Sequence, residues 1–146
     1  MRPRVIVLVG LPGSGKSTYA ASRGYRVLSS DGLREMLLDD VTDQTANIAI
    51  FRTLRSLLVT RLKLRRPVTC IDATNLTRKE RRPYVVLAGM YGADVEAVYF
   101  DVPAAVCRQR NRARERNVPE EILDRMAAKL QPPGEAEGFT RITVVS

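Results

Sequence analysis

Val5-Ile-Val-Leu-Val9-Gly10-Leu-Pro-Gly-Ser-Gly-Lys-Ser17 carries the fold and the chemistry together. Its five consecutive apolar residues read as a strand buried on both faces. The glycine-rich stretch Gly10 to Gly15 ends that strand, and a helix is expected to start near Lys16. The segment from Gly10 to Ser17 matches G-x-x-x-x-G-K-[ST] at every fixed position. Gly10, Gly13 and Gly15 allow a tight turn that brings backbone N–H groups against phosphate oxygens. The helix beyond adds its unpaired N–H groups and the positive end of its dipole. Leu11, Pro12, Ser14 and Thr18 complete the expected ATP-binding loop. The Lys16 ammonium is expected to reach the β- and γ-phosphates, and the Ser17 hydroxyl to ligate Mg²⁺. A glycine-rich turn that matches by chance is the alternative; the position between a buried strand and a helix argues against it.

Outward from this stretch, strand and helix signals alternate. Arg26 to Ser30 predicts a second, shorter strand. From Asp43 to about Lys63 a helical stripe runs through Phe51, Leu54, Leu58 and Leu62, with Ile50 and Leu57 beside it. Val68 to Ile71 predicts a third strand. Thr77 with Glu80 makes a capping box for a helix running to Gly92. Asp94 to Asp101 predicts a fourth strand, and Pro103 suits the first turn of the next helix. A last helix carries Ile122, Leu123, Met126, Ala127 and Leu130, between Pro119 and Pro132-Pro-Gly134, and Thr140 to Val145 predicts a final strand. The expected fold is α/β: one domain over 1–146 with a mostly parallel sheet, helices on both faces and a helical lid over about 104–131. No repeat, low-complexity tract or linker interrupts it.

Composition narrows the chemistry. The chain has 146 residues, 45% of them hydrophobic and 27% charged, as in an ordinary globular domain. With no histidine, a general base has to come from Asp, Glu, Lys, Tyr or Cys. Cys70 and Cys107 stand alone, which points away from a disulfide framework and towards a reduced, cytoplasmic setting. The apolar run Val5 to Val9 is far shorter than the ~20 residues of a membrane span. Met1-Arg-Pro-Arg4 ahead of it is not read as a signal peptide, because no small-residue cleavage site follows. A formal charge of +8 and a pI near 10.1 favour polyanionic partners.

A phosphate loop alone does not separate switches, ATP-hydrolysing machines and kinases. No Asn-Lys-x-Asp motif follows to read guanine, and Ile71-Asp72 is followed by Ala73 where hydrolytic machines carry Glu. Transfer to a hydroxyl remains. It needs a carboxylate beside the acceptor oxygen and cations for the acceptor and the migrating phosphoryl. Asp31 lies just past the second strand, at the sheet edge where doubly wound folds bind ligands. Arg34 is one helical turn further on. The plainer role for Asp31 is to cap a helix. In Cys107-Arg-Gln-Arg-Asn-Arg-Ala-Arg-Glu-Arg116, Arg110 and Arg114 share one face, while Arg108, Arg112 and Arg116 form a second stripe. Such a run is either a solvated basic face or a lid whose guanidinium groups meet phosphate.

Taken in order, the phosphate loop, Ser30-Asp31-x-x-Arg34, Asp72-Ala-Thr-Asn75-Leu, Phe100-Asp-Val-Pro103, Arg110-Asn-x-x-Arg114 and Val118-Pro119 make up a pattern. The chain resembles the 5′-kinase domain of polynucleotide kinases and the bacterial AAA-type ATPase family grouped with them. The resemblance implies a sheet of order 2-3-1-4-5, ATP and Mg²⁺, and phosphorylation of a 5′-hydroxyl on a nucleic-acid end. It implies Asp31 as general base, Arg34 on the acceptor's 3′-phosphate, Asn75 at the acceptor, Lys16, Arg110 and Arg114 on ATP phosphates, and homo-oligomers in some members. Some relatives join the kinase to phosphatase, ligase or phosphodiesterase domains; none is expected within these 146 residues. Asp72 departs from the pattern by one place, leaving it to brace Arg34, to hold Mg²⁺ through water, or only to end the strand. Aromatic residues are 5%, so a nucleic acid would be held by its phosphates more than by base stacking. DNA and RNA are not separated, and two other readings stand beside this one: a kinase of a sugar, antibiotic or nucleoside, and a nucleotide-binding regulatory module with little turnover.

Overall fold

The computed structural model describes residues 2–114 and 118–146. Strand β1 (Arg4–Val9) is buried along Val5 to Val9 because it takes the centre of the sheet. Val5, Val7 and Val9 face one helical layer while Ile6 and Leu8 face the other, the two-residue alternation of a pleated strand. Its parallel neighbours are β3 (Val68–Asp72) and β4 (Asp94–Phe100), with β2 (Val27–Ser29) beyond β3 and β5 (Arg141–Val145) beyond β4. The order β2-β3-β1-β4-β5 is the one the resemblance implied.

On the Val5 face lie α3 (Asn47–Lys63) and α4 (Arg78–Met90), with α2 (Ser30–Leu38) contributing Leu33. The other face is covered by α1 (Lys16–Ser22), through Ala20 and Tyr19. The lid is formed by α5 (Ala104–Arg112) and α6 (Glu120–Lys129), bound to the phosphate loop by the small cluster of Leu11, Leu76 and Cys107 with Met126, Ala127 and Leu130 packed on it. Among the described residues no helix is long and apolar enough to cross a membrane. Both cysteines are free and buried, and burial pushes the Cys70 thiol up to about 12.

Three details differ from the sequence reading. Helix α3 begins at Asn47 rather than Asp43, because Asp43 turns the chain by accepting from Thr45 N and Oγ1. The buried line along α3 is Ile50, Leu54, Leu58 and Leu62, which leaves Leu57 exposed and Phe51 on the flank. Thr77 caps α4 by accepting from Glu80 N, but the Glu80 carboxylate accepts from Leu76 N, one residue outside a reciprocal box.

Candidate active site

The C-terminal ends of β1, β2 and β3 open into a cleft of about 1370 Å³ lined by the phosphate loop, the start of α2, Phe51 and the lid arginines. Gly15 precedes α1 at φ 101°, and Gly13 sits at φ 83° with the Cys107 carbonyl so near that a Cβ there would come within 2.8 Å of it. Lid helix α5 therefore rests directly on the loop, and only glycine fits beneath it. Pro12 to Thr18 line the cleft. Gly10 and Leu11 do not line the cleft: Gly10 N donates to Thr74 O, and the Leu11 side chain is buried under the lid.

The Lys16 ammonium donates to the carbonyls of Gly10 at 3.0 Å and Leu11 at 2.9 Å. Burial pushes its pKa down to about 8 against the pull of Asp72 and Asp31, with Arg114 pushing it further down. Ser17 Oγ donates to Asp72 Oδ2 at 2.7 Å. The Asp72 carboxylate stands beside the Ser17 hydroxyl, and among the described residues Arg34 bonds Asp31 and Asn47 rather than Asp72. Hydroxyl and carboxylate are the hard oxygen donors Mg²⁺ takes alongside phosphate and water. No group of three or more His, Cys, Asp or Glu able to hold a metal occurs among the described residues. The Ser17–Asp72 pair thus fits a metal that arrives with phosphates.

Across the cleft, Ser29 and not Asp31 caps α2, its hydroxyl accepting from Gly32 N. Asp31 is left in the first turn with its side chain 67% exposed. Arg34, 7% exposed, donates from Nη1 to Asp31 Oδ1 and from Nη2 to Asn47 Oδ1, both at 3.0 Å. Asn47 Nδ2 donates onward to Gln44 Oε1 at 3.1 Å, and the Phe51 ring centroid lies 5.8 Å from the guanidinium carbon. The chain Gln44–Asn47–Arg34–Asp31 thus orients the carboxylate from the α2–α3 loop. Arg34 Nε is buried without a partner, an unmet donor in a residue that lines the cleft. Asn47, Gln44 and Phe51 were missed in the sequence, where Phe51 read as part of the apolar stripe and the others as unremarked positions of the same helical segment.

The two arginine stripes of α5 diverge. Arg110 and Arg114 both line the cleft, with Arg110 Nη1 donating to Gly13 O at a long 3.4 Å. Arg108 pairs with Asp124 at 3.0 Å and Arg112 with Glu120, so this stripe joins α5 to α6 rather than standing free for polyanions. Arg116 lies outside the described residues. Asn111, 1% exposed, bonds both the N–H and the carbonyl of Val118 and so closes the lid hairpin.

Asn75 corrects an expectation. It does not line the cleft: it is 3% exposed at φ 49°, and its amide donates to Leu8 O at 2.7 Å. Its own carbonyl, with those of Leu76 and Gln131, accepts from Nη1 of the fully buried Arg81, whose remaining nitrogens pair with Glu137. Asn75 thus shapes the loop that flanks the phosphate site. Arg81 was not legible beforehand, since it stands among the exposed cations of α4.

Comparison with known proteins follows the same geometry. An AAA domain model, AAA_33, matches residues 5–133. The bifunctional polynucleotide phosphatase/kinase of Schizosaccharomyces pombe is 27% identical over 97% of this chain, which spans 33% of that protein's length. A chain in the structure of the Pnkp1/Rnl/Hen1 RNA repair complex superposes with a TM-score of 0.74 at 24% identity, covering 89% of this chain and 44% of its own. A gluconokinase from Sinorhizobium meliloti reaches a TM-score of 0.67 at 22% identity, over 99% and 83% of the two chains. The matched span holds the phosphate loop, four of the five strands of the 2-3-1-4-5 parallel sheet and helices α5 and α6, and the chain belongs to the AAA_33 family of AAA domains and has the fold of the P-loop kinases.

Proposed function

We propose that this chain transfers the γ-phosphoryl group of ATP to the 5′-hydroxyl of a polynucleotide end. The observation that carries the reading is the pairing of exposed Asp31 with buried Arg34 in the cleft that also holds the phosphate loop. Asp31 takes the proton of the acceptor hydroxyl as its oxygen bonds to the γ-phosphorus, and the bond to the bridging β–γ oxygen breaks to release ADP. Lys16 and the loop N–H groups hold the phosphates in line, and Arg110 and Arg114 neutralise the charge that spreads over the migrating group. Arg34 binds an acceptor phosphate next to the attacking hydroxyl, where its unmet Nε donor is satisfied. Ser17 and Asp72 would hold Mg²⁺, which would supply positive charge against the ATP phosphates. The polynucleotide kinase relative, matched over nearly the whole chain, supports this acceptor. The +8 charge suits it as well.

The test is transfer of label from γ-labelled ATP to a panel of 5′-hydroxyl DNA and RNA oligonucleotides, nucleosides with and without a 3′-phosphate, and sugars including gluconate. Oligonucleotides and 3′-phosphorylated nucleosides are expected to take the label, and Arg34→Ala to remove the advantage of the 3′-phosphate. Label appearing only on a sugar, or only as free phosphate, would overturn the assignment.

A further inference from the structure

On the outer surface of the α3–α4 layer, an open groove of about 480 Å³ runs between the two helices. Val59, Pro83, Val86 and Leu87 line it, with Arg52, Arg55, Lys79 and Arg82 around them. No acidic side chain lines it. Over α3 and α4 the sequence has eight lysines and arginines against one carboxylate, Glu80, which already pairs with Lys129 and accepts from Leu76 N. The four groove cations have no hydrogen bond or ion pair among the described residues. Lys79 also stands in the first turn of α4, where the helix dipole is positive and a cation is destabilising. Packing does not require these charges, and the proposed phosphoryl transfer does not use them.

We propose that the α3–α4 groove binds an acidic, amphipathic segment of a partner protein. The apolar lining decides between polyanions. A phosphodiester strand gains nothing from valine, proline and leucine, and no aromatic ring lines the groove for a base to stack on. A helix presenting apolar residues one turn apart fills that lining. Glutamate or aspartate on its flanks then meets Arg52, Arg55, Lys79 and Arg82, which supplies both orientation and a fast, salt-sensitive encounter. The inference is independent of the acceptor assigned above, because these residues lie outside the cleft.

The experiment pans a phage-displayed random 16-residue peptide library on the purified full chain and measures selected peptides by fluorescence anisotropy. Enriched sequences are expected to be net acidic with apolar residues at helical spacing. Their affinity is expected to fall at least tenfold in the Arg55→Glu/Arg82→Glu double variant and in Val86→Glu, and to weaken as NaCl is raised. All three substitutions are at groove positions, and ATP binding by each variant reports that the fold is intact. Selected peptides without acidic bias, or equally tight on wild type and the double variant, would overturn the proposal. So would a 12-nucleotide DNA or RNA strand that loses tenfold in the double variant while no peptide is enriched, since the groove would then be a strand track.

Discussion

The two sides of the cleft are built in opposite ways. The proposed donor side is nearly all one stretch: Pro12 to Thr18 fold into a loop that offers mostly backbone N–H groups, joined from outside by Asp72 and the lid arginines. The proposed acceptor side is assembled from separate elements. Asp31 and Arg34 come from α2, Gln44 from the following loop, and Asn47 and Phe51 from α3. A backbone site tolerates little variation, because it depends on glycine conformations and close approach. A side-chain site can be re-aimed by changing one partner. The proteins this chain is similar to include a bifunctional polynucleotide phosphatase/kinase in sequence and a gluconokinase in fold.

The sharpest way to break this contrast is at Lys16. Lys16→Ala is expected to lower the rate of transfer and of background ATP hydrolysis together by roughly 10³–10⁵-fold, because it removes charge from the migrating phosphoryl. Single-turnover assays with labelled ATP measure both; near-normal turnover would remove the donor assignment.

Asp31→Asn probes the opposite side with a smaller effect, roughly 10²–10⁴-fold in transfer, the usual contribution of a general base. ATP affinity, followed by calorimetry, is expected to stay unchanged. Because Ser29 caps α2, thermal stability is expected to hold as well; a variant that melts early yet keeps its rate would make Asp31 structural.

Proton linkage gives the proposed donor side a signature of its own through Lys16. Burial holds Lys16 near pKa 8 in the free protein, and phosphate beside it favours the charged form, raising that value. Only the ammonium pairs with phosphate. Nucleotide affinity is therefore expected to be level below pH 8 and to fall as pH rises above 8, by up to about tenfold per unit until the bound-state pKa is reached. ADP titrations at pH 8.5 in buffers of different ionisation enthalpy should show proton uptake; proton release would contradict the sign.

Asn47→Ala sharpens the comparison further, since Asn47 acts on the acceptor only through Arg34. Loss of a hydrogen bond to a charged group is expected to raise acceptor KM about tenfold, with the KM for ATP unmoved. Asn47→Asp, which keeps an acceptor oxygen for Arg34 Nη2, is expected to recover most of the loss. The smallest effect belongs to Arg108→Ala and Arg112→Ala. Both make exposed ion pairs with α6, so turnover is expected to stay within about twofold. A large loss there with silent Arg110→Ala and Arg114→Ala would mean that the lid closes on the cleft with its other stripe.

Reading ahead from the sequence worked where the physics is local. The glycine loop, the five strands, the Thr77 cap and the Pro103 and Pro119 helix starts each depend on a few neighbouring residues. The reading failed where a side chain had two plausible neighbours. Phe51 matched the apolar stripe of α3, yet it lies beside Arg34; Ile122 matched the stripe of α6, yet it is 40% exposed at the cleft. A helical period finds an apolar face about a third of a turn wide, and the neighbouring element decides which edge of that face is covered. The second stripe of α5 shows the same limit, because Arg108 and Arg112 pair with α6 residues that no spacing within α5 could reveal.

The phosphate loop, the alternation that forces a parallel sheet, and the placement of Asp31 and Arg34 one turn apart were all legible along the chain. Each follows from backbone conformation or from spacing along a single element. Packing between elements is what brings Asp72 to Ser17, Asn47 and Gln44 to Arg34, Asn75 into a buried contact with Arg81, and the cations of α3 and α4 around one groove. These are contacts between residues from 3 to 67 positions apart, most of them on different elements. Long-range pairings are set by how the helices pack across the sheet, which is a property of the whole chain rather than of any one segment of it.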